Sequence, residues 1–236
     1  MKLLTIKRQL LGIALFLFMP SMHAAELTGY YMITDSVIML HFDDGYIDYH
    51  GLGEAAWHHD KPYISKIDLD LAMQPSSYSI TSQDDSNYST SLSPVNINRK
   101  SKGGDFSPVN NTVIIHEHFI YLKLPHPLQP RKSYSIDLGG IAANQETIEI
   151  LYEPQNMYSP TVHTNIIAYS TLSNLKFGYV YQWLGDGGSL NLNGYENNNF
   201  YLLNASTGDT AFTGKMTLRK DIETGEPDTY NNNDSP

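Results

Sequence analysis

The chain has 236 residues, no cysteine, and 25 acidic against 15 basic side chains, for a formal net charge of −10 at pH 7. So acidic a surface repels phosphate backbones and excludes nucleic acid as a partner, and a cysteine-free chain is neither a disulfide scaffold nor a lipid-anchored lipoprotein, so stability has to come from buried apolar surface. Seventeen tyrosines among plentiful Asn and Ser favour strands joined by polar turns over helices.

The N-terminus reads as an export leader. Lys2, Lys7 and Arg8 form a positive region, residues 10–18 an almost unbroken apolar run, and Met22-His23-Ala24-Ala25 the small residues of a cleavage site. The run is shorter than the roughly 20 residues that span a bilayer, and no second one follows. Residues 1–25 are therefore expected to be a signal peptide, the mature chain to be secreted or periplasmic, and no membrane span to remain after cleavage.

Short runs of β-branched and aromatic residues then recur between turn clusters. The first, residues 36–42, ends at Asp43-Asp44-Gly45; the second covers 78–82; the longest covers 113–124. In the last of these, Ile114, His116, His118, Ile120 and Leu122 share one face, and Val113, Ile115, Phe119 and Tyr121 the other. A strand apolar on both faces predicts a sandwich whose outer face is covered by something else. Pro125, Pro127 and Pro130 stop any ladder, after which Tyr134, Ile136 and Leu138 alternate. The pattern Leu128-x-Pro130-x-x-x-Tyr134-x-Ile136-x-Leu138 resembles the corner of immunoglobulin-like modules in which a Tyr hydroxyl bonds to backbone. A closing strand over 147–152 completes a first β-sandwich, residues 26–153.

Residues 154–160, bracketed by Pro154 and Pro160, read as a linker. A second β pattern opens at Thr161 and includes a hairpin with strands over 200–204 and 210–218. Residues 161–220 fall well short of the about 100 residues and seven strands of an immunoglobulin-like sandwich, and 221–236 are a polar loop or disordered tail. The expected fold class is all-β, with two immunoglobulin-like β-sandwich modules in tandem, the second truncated.

Val162-His163-Thr164-Asn165-Ile166-Ile167-Ala168-Tyr169 followed by Leu175-Lys176-Phe177-Gly178-Tyr179-Val180 resembles the opening of the N-terminal immunoglobulin-like domain of family 9 glycoside hydrolases. Val162, Asn165, Tyr169 and Lys176 match that family's pattern, with Ile166 where Gln is usual and Ala168 where Gly is usual. The stretch Phe200-Tyr201-Leu202-Leu203, Thr207-Gly208, Phe212 and Gly214-Lys215 is similar to the family's next hairpin, and the first module, including Arg99-Lys100-Ser101-Lys102-Gly103, resembles the extra sandwich that precedes it in some bacterial members. The resemblance implies a module packed against an (α/α) barrel that hydrolyses β-glucans by inversion, its Asp base and Glu acid both in the barrel. No such barrel and no Asp-Ala-Gly-Asp motif occur here, and Gly185-Asp186-Gly187-Gly188 reads as a turn. The chain is thus expected to be the non-catalytic N-terminal region of a secreted cellulase-like enzyme, partnered by that barrel and, as a further candidate, by β-glucan. No catalytic, cofactor or metal residue is assigned.

Rival readings rest on specific residues. The run Phe42-Asp43-Asp44-Gly45 is similar to the metal-and-base motif of polysaccharide deacetylases, but the H-x-x-x-H partner is missing: His58 and His59 are adjacent, and His116 and His118 lie on a strand. Asp43, Asp44, Asp48 and Asp60 offer oxygens for a calcium loop without EF-hand spacing, and His116 with His118 offers two imidazoles to zinc. Trp57, Trp183 and the tyrosines are the groups a free-standing carbohydrate-binding protein would stack on sugar rings.

Overall fold

Alternating side chains that need a dry environment set the strand pattern. A computed structural model describes residues 25–48, 61–106 and 113–219; the expected leader over 1–24, Trp57, His58, His59 and Asp60 in 49–60, residues 107–112, and the polar tail 220–236 lie outside them. The chain is all-β: β1 (Glu26–Thr34), β2 (Val37–Asp43), β3 (Gly45–Asp48), β4 (Lys61–Ile64), β5 (Ser79–Thr81), β6 (Asn96–Phe106), β7 (Ile114–Lys123), β8 (Ser133–Asp137), β9 (Thr147–Leu151), β10 (Val162–His163), β11 (Tyr179–Val180), β12 (Asn199–Leu203) and β13 (Thr210–Lys215). Among the described residues a single α-helical turn, Leu69–Ala72, is capped by the Asp68 side chain.

A four-stranded antiparallel sheet in the order β1-β2-β7-β6 packs on a three-stranded antiparallel sheet in the order β5-β8-β9. That is the strand order of a constant-type immunoglobulin sandwich, A-B-E-D against C-F-G, with the β3–β4 hairpin inserted between the second and third strands. Ile38, Leu40 and Phe42 of β2 and Ile120 and Leu122 of β7 meet Ile80, Tyr134, Ile136, Ile148 and Ile150 of the other sheet in one buried cluster. Alternation decides this: the intervening Val37, Met39 and Tyr121 face outward and form a second cluster with Ile33 and Leu184. The expected covering of the outer face therefore comes from the chain's own later segment, through Leu184 and Leu190.

The tyrosine corner is present. Tyr134 Oη accepts the Gln129 N–H at 2.8 Å and donates to Asp85 Oδ2 at 2.7 Å. Burial is the main reason its phenol titrates far above the usual range, with the Asp85 carboxylate adding to it, so the hydroxyl keeps the proton it donates. Tyr88 packs edge-on against the Tyr134 ring, and its hydroxyl donates to the His126 carbonyl, tying the Pro-rich 125–130 connection to the core.

Four strands, β1, β3, β4 and β6, lie where the sequence reading placed none. β1 starts directly after the expected leader, and Ala25, assigned to that leader by sequence, is fully buried and bridges Ala142. β6 carries Arg99, Lys100, Lys102, Gly103 and Gly104, the charges and glycines that protect an edge strand from pairing with other chains.

Residues 161–219 form two separate strand pairs, β10–β11 and β12–β13, and no second sandwich core. Among their described residues only Thr161, Gln182 and Leu184 are buried, and each of the three makes contact with the first sandwich. The expected tandem of two sandwiches is thus one closed sandwich plus a strand-paired extension, because too few strands are present to enclose a second dry layer.

Removing the Tyr134 hydroxyl by Tyr134→Phe orphans the Gln129 amide and Asp85 Oδ2. It is expected to lower unfolding free energy by about 1–3 kcal/mol, read as an earlier urea midpoint at unchanged slope.

Candidate functional site

The densest grouping of ionisable side chains sits where β2 turns into β3. Asp43 Oδ1 accepts the Gly45 N–H at 2.9 Å, and Gly45 has φ +124°, with the Tyr63 carbonyl 1.9 Å from where a Cβ would stand. Only glycine fits that reversal, so Phe42-Asp43-Asp44-Gly45 is explained by chain direction. The turn drives Asp44 inward to 3% exposure. Its Oδ1 accepts the Ile67 N–H at 2.9 Å, and its Oδ2 lies 3.1 Å from His118 Nε2 on β7.

His118, also 3% exposed, receives Arg99 at its other nitrogen: Nε and Nη2 approach Nδ1 at 3.2 and 3.0 Å. A guanidinium only donates, so Nδ1 must be bare and Nε2 must carry the proton given to Asp44. The imidazole is therefore neutral. Its pKa lies below the usual 6.5, chiefly through burial, opposed by Asp44 and reinforced by Arg99 and His116. On the outer face, Glu117 accepts from Lys102 at 2.9 Å and contacts His41 Nε2 at 3.0 Å. The Lys102 hydrogen bond is the main reason its carboxyl titrates below the usual range. His41 stacks on Phe119 at 4.5 Å, and the Lys100 ammonium sits 4.9 Å above the same ring.

Asp44, His118 and Arg99 bond to one another in one chain, and His41, Glu117 and Lys102 in a second. The His116 and His118 rings are 6.0 Å apart and tilted by 36°, and His118 is occupied at both nitrogens. Among the described residues no three His, Asp or Glu side chains gather to hold a metal ion; Asp60, one of the calcium candidates, lies outside them. Of the deacetylase candidates, Asp44 and His118 bond to Ile67, to each other and to Arg99 inside the sandwich, and His58 and His59 lie outside the described residues.

A second grouping joins the extension to the sheet edge. Asp186 Oδ1 accepts the Arg99 N–H at 2.7 Å and the Asn98 side-chain amide at 3.3 Å. Gly185, with φ +75°, has the Arg99 carbonyl 2.0 Å from where its Cβ would be, and Gly187 has the Asn98 side chain 2.5 Å from its own. Gln182 Nε2 donates to Tyr121 Oη at 2.9 Å. The Gly-Asp-Gly-Gly turn is thus a latch that caps free backbone on the edge strand β6. Arg99 was visible in sequence only as part of a basic run and Asp186 only as part of a turn; 87 residues separate the pair, and no local signal joins them.

Most exposed aromatics among the described residues lie in the extension and on the β3–β4 hairpin, with Phe106 on β6 and Tyr158 in the 154–160 connection besides. Tyr181 stacks on His163 at 3.8 Å, Phe177 and Tyr179 lie 6.4 Å apart with planes 20° from parallel, and Trp183 is 37% exposed. A shallow groove of 360 Å³ runs along His163, Asn165, Tyr169, Leu175, Phe177 and Tyr179. Tyr46 and Tyr63 stack across the hairpin at 5.0 Å.

Because folded His118 protonates less readily than an unfolded histidine, its contribution to stability is full above pH 6.5 and is lost as pH falls below that value towards the folded pKa. Urea midpoints of the wild-type chain are expected to drop between pH 7.5 and pH 5. Gly185→Ala is expected to lift the latch: limited proteolysis cuts within 182–190 while the sandwich's far-ultraviolet spectrum is unchanged.

Comparison with known proteins finds no matching family model, no similar curated protein and no similar solved structure.

Proposed function

We propose that this chain is the exported, non-catalytic N-terminal region of a family 9-type polysaccharide-degrading enzyme, in which an immunoglobulin-topology sandwich and its latched extension hold an (α/α) catalytic barrel. The observation that carries this is the apolar surface of the extension. On β12, Phe200 and Leu202 point to one face and Tyr201 and Leu203 to the other, and all four are exposed. Apolar residues on both faces are the mark of a strand meant to be covered twice. Ile166 and Ile167 are 98% and 91% exposed, and Leu172 and Leu175 are exposed beside them.

Aliphatic side chains suit a protein surface, whereas sugar rings stack on aromatic faces. Lys176, Lys215 and Arg219 balance Asp186, Glu196 and Asp209 across this extension, so an otherwise acidic chain presents a face without net charge. Val162, Asn165, Tyr169 and Lys176 lie in this same extension and carry the family resemblance. The leader pattern of residues 1–25 supports export.

A second reading, a free-standing glycan binder, is favoured by the stacked Tyr46–Tyr63 pair and by the near-parallel Phe177 and Tyr179. The test that separates the two uses the exported chain mixed with a family 9 barrel stripped of its own N-terminal module. Co-elution, a raised melting temperature of the barrel, and no turnover of β-glucan or acetylated sugars by the chain alone are expected. Retardation in β-glucan gels without any barrel complex would transfer the assignment to the glycan binder, and turnover by the chain alone would refute both.

A further inference from the structure

We propose that Arg99 is a proton-sensitive joint between the sandwich and its extension: neutral His118 holds the Arg99 side chain from inside, Asp186 holds its backbone from the sheet edge, and protonation of His118 loosens the 185–188 turn from β6.

The geometry leaves Arg99 no independent freedom. Its guanidinium is fixed by two contacts to His118 Nδ1, its N–H by Asp186 Oδ1, and its carbonyl by the close approach of Gly185. When a proton from solvent adds to Nδ1, the acceptor for both guanidinium contacts becomes a donor carrying positive charge. Two cations then face each other at about 3 Å inside the sandwich, where Coulomb repulsion is least screened. Asp44 retains His118 through Nε2–H in either state, so Arg99 is the group that leaves.

Among the described residues the anion beside His118 is Asp44, which is engaged at Nε2 and not at Nδ1, where Arg99 sits. From the β2–β3 reversal His118 faces Asp44; from β6 it faces Arg99 and its register partner Ser101; on its own strand the nearest titratable group is His116; and its partner on β2 is Phe42. His41, Glu117 and Lys102 bond to one another on the opposite face of the sheet. A displaced Arg99 shifts the segment on which Gly185 and Gly187 rest without slack, so the orientation of the extension responds to protons.

Amide exchange by NMR tests this on the full exported chain. Protection of the Arg99 and Leu190 amides, corrected for the intrinsic pH dependence of exchange, is expected to fall by up to about tenfold per pH unit as pH drops towards the folded His118 pKa, which lies below the usual value, and to level off beneath it, while Ile136 in the facing sheet is unaffected. His118→Gln supplies an acceptor and a donor without a titrating proton and is expected to flatten the profile. An identical profile in wild type and His118→Gln overturns the joint. Nitrogen-15 shifts of the wild-type imidazole give an answer that does not depend on the variant folding: an Nε2–H tautomer titrating below 6.5, in step with loss of Arg99 protection, supports it, and an Nδ1–H tautomer or titration above 6.5 refutes it.

Discussion

Ile38, Leu40 and Phe42 on one sheet face Tyr134, Ile136 and Ile148 on the other, and the dry space they share constrains everything else in the molecule. Any polar atom that enters it must bring its own partner, because an unmatched buried donor or acceptor costs about 1–3 kcal/mol. The entries are few and fully matched: Asp44 with His118, His118 with Arg99, Tyr134 with Asp85 and the Gln129 amide. Among the described residues no buried side-chain nitrogen or oxygen lacks a hydrogen-bond partner. Such groups fix register, and they mark where the chain reverses.

The outer face of the four-stranded sheet obeys the same rule with a different solution. Met39 and Tyr121 cannot remain wet at low cost, and Leu184 covers them. Docking that segment brings Asp186 to the amides at the edge of β6, which blunts an edge that would otherwise template pairing. The extension is therefore anchored through residues 182–190, while its two strand pairs keep their apolar faces exposed. An internally satisfied sandwich coupled to an apolar, charge-balanced surface is the arrangement on which the proposed supporting role rests.

Much of the sandwich was legible because its inner strands obey strict alternation. β2, β5, β7, β8 and β9 fall on the runs that periodicity picks out, and the Leu-x-Pro-x-x-x-Tyr spacing led to the corner that Tyr134 makes. β1 and β6 were not legible. β1 adjoins the expected leader and is broken by a register shift near Gly29, and β6 carries edge charges that read as a loop. The Asp44–His118–Arg99 chain was out of reach for another reason: its contacts span 74 and 19 residues, and they exist only once the register of β2, β7 and β6 is set. Sequence flagged Asp44 and His118 separately, each for metal chemistry, because both residue types serve that purpose elsewhere; the burial that turns them towards each other is a tertiary fact.

The proposal that the working surface is the extension rather than the buried ionic cluster can be tested by hydrogen–deuterium exchange mass spectrometry of the chain, alone and with a family 9 barrel. Protection should be gained over 163–179 and 199–215, with the peptides containing Asp44 and His118 unchanged. Protection centred on Asp44 and His118, or none anywhere, would contradict it.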